Sequence, residues 1–62
     1  MNPEFRKVIE KTMGRFAESY KDAITEQQRL VTDCYAMEWL DCIELSPEEK
    51  KEMYEVYRRL RK

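Results

Sequence analysis

No histidine occurs in this chain, and that absence removes most enzyme readings at once. Histidine is the commonest acid–base side chain, and Ser19 and Ser46 have no base partner at a readable spacing. A nucleophilic cysteine needs cationic neighbours, whereas Cys34 and Cys42 are surrounded in sequence by Asp33, Glu38, Asp41 and Glu44. Di-metal helical sites rest on a Glu-x-x-His pattern that the chain does not contain. With no C-x-x-C either, a zinc site would need an uncommon mixture of two thiolates and carboxylates. The expectation is therefore no catalytic residue, no metal and no cofactor.

Cysteine is scarce as well. Cys34 and Cys42 lie eight residues apart, a rise of roughly 12 Å on a continuous helix, which is beyond the reach of a disulfide. Two unpaired thiols fit a reducing compartment. There is no long apolar run, neither a signal peptide after the opening charges nor eighteen apolar residues in a row. These features predict a cytoplasmic protein with no membrane partner.

Glycine and proline are nearly missing from the first forty-odd residues, where only Pro3 and Gly14 occur before Pro47. One internal glycine costs a helix about 1 kcal/mol without ending it. What remains has a helical period. Ile9, Met13, Phe16, Tyr20, Ala23, Gln27, Leu30, Cys34 and Met37 alternate steps of four and three, the a and d positions of a heptad. Ala17, Ile24 and Val31 widen that stripe to the breadth of a bundle helix, and Lys11, Arg15, Glu18, Asp22, Thr25 and Arg29 form a polar opposite face.

Asn2-Pro3 is a helix start. Two architectures follow from there: a single helix over about residues 3–43, or the same segment broken near residues 22–26 into an antiparallel pair. Thr25 with Gln28 resembles a capping box, and Thr32 or Asp33 is a second candidate cap. The heptad phase runs across the proposed break and favours the continuous helix. Ser46-Pro47-Glu48-Glu49 is a firmer boundary, an S-x-x-E box with proline at the first helical position. It opens a helix over residues 47–61 after a turn at 44–46, with acids in the first turn and bases in the last, and with Met53, Val56, Tyr57 and Leu60 on one face. Too short to stand alone, this helix is expected to fold back on residues 31–45.

The fold class is thus all-α, one small domain over residues 1–62. So short a chain buries only about 60% of its unfolded surface, so the helices are expected to form a bundle by homo-oligomerisation.

Charge is unevenly spread. Residues 1–29 carry six basic and five acidic groups, residues 30–45 none and four, and residues 46–62 six and four. The acidic middle, residues 31–45, also holds the only tryptophan and both cysteines. Tyr35, Trp39 and Ile43 follow one another at helical spacing on one ridge, with Cys34, Met37 and Asp41 on the next, so the helix is apolar on more than one side. Tyr35, Glu38, Trp39, Asp41 and Ile43 are accordingly the candidate partner-binding residues, aromatic anchors with an acidic rim that would select a basic protein. The function expected is a small interaction protein, an adaptor or inhibitor bound to a larger protein. In size and style alone it is like the small proteins of phages and mobile elements. The alternative is a dimeric nucleic-acid-binding regulator using Lys50, Lys51, Arg58, Arg59 and Arg61, with Tyr54 and Tyr57 available to stack on bases. Four glutamates on the same helix and a pI near 5.5 weigh against it.

Overall fold

A computed structural model describes all of residues 1–62 and contains three helices and no strand: α1 (Pro3–Asp22), α2 (Glu26–Cys42) and α3 (Pro47–Leu60). Each begins where the sequence supplies a cap. Asn2 Oδ1 accepts the Glu4 amide at 2.8 Å, with Pro3 entering the first turn behind it. Thr25 Oγ1 accepts the Gln28 amide at 3.1 Å, while Gln28 Oε1 reaches back to the amides of Thr25 and Ile24. Ser46 and Glu49 exchange the equivalent pair of bonds at 3.2 and 3.0 Å. These side chains occupy amide donors that a helix start otherwise leaves unpaired.

The continuous helix over residues 3–43 is not what forms. Ala23 and Thr25 are extended, and the chain reverses between α1 and α2. Two effects outweigh the heptad phase. The Thr25–Gln28 box satisfies three backbone amides at the break, and a reversed chain lets α2 cover apolar side chains of α1 that a straight rod would leave in water.

A second short link, residues 43–46, returns the chain so that α3 runs parallel to α1. Arg6 near the start of α1 bonds Glu52 near the start of α3 at 2.7 Å, and Arg61 after α3 lies 4.5 Å over the ring of Tyr20 near the end of α1. The expected fold-back onto residues 31–45 is present, but α3 packs more extensively along α1 than along α2. The bundle measures 35 × 17 × 14 Å. No helix is long and apolar enough to cross a membrane.

Ile9, Met13 and Ala17 from α1, Ala36 and Leu40 from α2, and Met53 and Tyr57 from α3 form the core. Phe16, Trp39, Ile43, Leu45, Tyr54 and Val56 pack around it, half-buried. Thr32 is the one buried polar residue, and its hydroxyl donates to the Gln28 carbonyl at 3.0 Å, so it costs the core no unpaired group. Leu60, assigned to the apolar face of α3, is exposed instead because it sits in the last turn.

Candidate functional site

Helix α2 turns an unusual selection of side chains inward. Its buried residues are Thr32, Ala36 and Leu40, two of them small, which lets α1 and α3 approach closely. Leu40 is large and buried and Trp39 packs on the core, but four other large apolar residues point out: Leu30 is 60% exposed, Tyr35 58%, Met37 45% and Val31 44%. Cys34 and Cys42 are free thiols on the same outer side. Both phases assigned from the heptad therefore fail within α2. Leu30, Cys34 and Met37 are on the surface and not in the core, and Ile24, in the link before α2, is 85% exposed. A contiguous exposed apolar strip of this kind marks a contact surface more often than a bare solvent face.

The five candidate partner-binding residues fall into two groups. Tyr35, Glu38 and Asp41 are exposed, while Trp39 and Ile43 are half-buried against the core and present only one edge. Glu38 has no ion-pair partner, whereas the Asp41 carboxylate lies 3.5 Å from Lys50 Nζ, a tie between α2 and α3. Leu30 and Val31 belong to the same surface, and the sequence reading placed them inside. Nothing in local spacing distinguishes the two faces of a helix that is apolar on both.

The candidate nucleic-acid residues are dispersed, and several are engaged within the fold. Lys50 faces Asp41, and Arg58 lies 3.7 Å from Glu55 in the preceding turn. Arg61 is held by Asp33, over the rings of Tyr20 and Tyr57. Lys51 and Arg59 remain exposed. Tyr57, a proposed base-stacking residue, is fully buried, and Tyr54 is half-buried with its ring 5.4 Å from that of Tyr57.

Asp33 is a residue whose role spacing alone does not predict. It accepts the Tyr57 hydroxyl at 2.5 Å and the Arg61 guanidinium on the same oxygen. Burial, then the hydrogen bond to the Asp33 carboxylate, pushes the Tyr57 phenol well above the usual tyrosine range. The hydrogen bond that Arg61 donates to the Asp33 carboxylate holds its guanidinium more firmly charged, with burial opposing it. This clasp joins α2 to α3 and, through Tyr20, to α1. It is structural chemistry, built of groups that face each other across the helix contacts.

The surface hollows are shallow. One lies beside Gly14, lined by Lys11, Arg15, Glu18, Lys21 and Leu60. Another lies between α2 and α3, bordered by Asp33, Cys34, Met37, Glu38 and Tyr54. No group of three or more cysteine, aspartate and glutamate side chains converges as a metal site would require. No protein-family model matches the chain, and neither the curated proteins nor the solved structures give a significant match.

Proposed function

We propose that the protein is a small non-enzymatic interaction module, an adaptor or inhibitor that binds a larger protein through the outer face of α2. One observation carries this reading: α2 buries only Thr32, Ala36 and Leu40 and presents Leu30, Val31, Tyr35 and Met37 to solvent. None of the four belongs to the core cluster, so the fold of the single chain does not account for large apolar side chains at these positions. Tyr35 and the exposed edge of Trp39 are the anchors, since aromatic side chains contribute disproportionately to protein contacts. Glu38, free of any partner in the chain, biases the surface towards a basic target. The internal pairing of Lys50, Arg58 and Arg61 is why this reading stands ahead of the nucleic-acid one.

The test is capture of a tagged chain's partner from source-cell lysate with three variants. Tyr35→Ala and Glu38→Lys alter the surface without touching the core, and Arg59→Glu alters the basic helix. Stoichiometric recovery of one protein, lost with the first two variants and kept with the third, supports the reading. Recovery indifferent to Tyr35 and Glu38 but lost with Arg59→Glu, or recovery of nucleic acid alone, overturns it.

A further inference from the structure

The outer face of α2 consists of two strips, and they suit different occupants. Tyr35, Trp39 and Ile43 form one edge. Gln27, Leu30, Cys34, Met37 and Asp41 form the other, spaced three and four residues apart as in the seam of a two-stranded coiled coil. We propose that this second strip pairs with the same strip of a second copy of the chain, the two α2 helices running antiparallel with Cys34 at the two-fold axis. The proposal rests on the reading of α2 as a contact surface and names the occupant of half of it.

Direction and partner both follow from the charges on the strip. In a parallel pair each position meets itself, so Asp41 would oppose Asp41 and Gln27 would oppose Gln27. An antiparallel pair centred on Cys34 exchanges these positions, because Gln27 and Asp41 are each seven residues from the centre. The amide of Gln27 then donates to the carboxylate of Asp41 at both ends, Val31 comes level with Met37, and Leu30 lies one residue further out beside Met37 on either side of the centre. Asp41 already has Lys50 at 3.5 Å, which lowers the cost of bringing a second face near it. Glu38, the other carboxylate on this face, falls opposite the uncharged Leu30 and Val31 of the other copy. Glu26 at the start of one α2 reaches the end where the other copy's α3 carries Lys50 and Lys51, the residues that border Met37 in the groove between α2 and α3. A basic foreign helix would meet only one free carboxylate here, Glu38, which lies beside the strip and stays available to the foreign protein, whereas a second copy uses every position of the strip itself. Pairing leaves the two Tyr35–Trp39–Ile43 edges side by side on one flank, a doubled surface for the foreign protein.

The mass and the cross-linking of the full chain test this. At micromolar concentration, sedimentation equilibrium should give twice the 7.6 kDa chain mass. A short bis-maleimide, whose two C=C bonds each take up one thiol, should couple wild type and Cys42→Ser into a covalent dimer but leave Cys34→Ser uncoupled. Leu30→Glu, at a site that faces solvent in the single chain, should raise the dimer dissociation constant at least about tenfold with helical circular dichroism unchanged. A wild type that stays monomeric at hundreds of micromolar, coupling through Cys42 alone, or a dimer indifferent to Leu30→Glu overturns the proposal. The two readings fail separately: a monomer whose foreign partner is still lost with Tyr35→Ala disproves the pairing and leaves the interaction module standing.

Discussion

Helices α2 and α3 distribute side-chain size in opposite ways. In α3 the large residues Met53 and Tyr57 are buried and the outer positions are charged, the ordinary pattern of a helix on a small core. In α2 two of the three buried positions, Thr32 and Ala36, are small and only Leu40 is large, while Leu30, Tyr35 and Met37 are outside. The difference separates two demands on α2. Its inner face must be thin enough for α1 and α3 to close on each other, and its outer face answers to something beyond the single chain.

Truncation should expose that contrast most sharply. Leu40→Ala, at a position 1% exposed, should cost about 3 kcal/mol, enough to leave a domain of this size largely unfolded in a denaturant titration. Leu30→Ala removes the same atoms at a position 60% exposed and should change monomer stability by no more than about 0.5 kcal/mol. Equal losses at the two positions, in a titration dilute enough to keep the chain monomeric, would mean that the outer face is packed within the single chain.

Next in size is the clasp. Asp33→Ala leaves the buried Tyr57 hydroxyl without an acceptor and frees Arg61, and should cost about 2 kcal/mol in the same titration. The Tyr57 phenol adds a pH dependence. Its folded-state pKa lies above the unfolded value of about 10, so the contribution is intact below pH 10 and is lost as alkali deprotonates the unfolded chain and then the folded one. Alkaline unfolding followed by circular dichroism should therefore be shallower in Tyr57→Phe than in the wild type.

Smaller still are the effects at the helix ends and at the lone glycine. Thr25→Ala and Ser46→Ala should each cost about 1 kcal/mol, by loss of the hydroxyl that accepts the third-position amide. Gly14→Ala should work in the other direction and raise stability by up to about 1 kcal/mol, since a methyl group there meets no atom within 4 Å and the backbone is ordinary helix. A destabilised Gly14→Ala would point to a use for the hollow beside it.

Local chemistry was the legible part of this fold. The caps at Asn2 and Ser46, the all-helical class and the inward positions Ile9, Met13 and Met53 all follow from patterns within a few residues of each other. The break at 23–25 was written in Thr25 and Gln28, but a heptad phase that crossed it unbroken suggested otherwise. Within α2 the period itself is uninformative, because apolar residues occur on every side and only packing against α1 and α3 decides that Ala36 goes in and Met37 out. The Asp33–Tyr57 and Asp33–Arg61 bonds span 24 and 28 residues, and no spacing rule reaches that far. Of the candidate contact residues, Tyr35, Glu38 and Asp41 are on the surface, while Trp39 and Ile43 divide their area between the core and the outside.

Both reversals of the chain are made by polar side chains closing on adjacent amides, with no glycine and no residue at positive φ. Each link spans only a few residues, so neighbouring helices meet with little loop entropy to overcome. Low contact order of this kind belongs to chains that fold within microseconds to milliseconds. A domain with so small a core then closes again quickly whenever it opens, so its exposure to attack follows the equilibrium population of the open form and not the rate at which it opens.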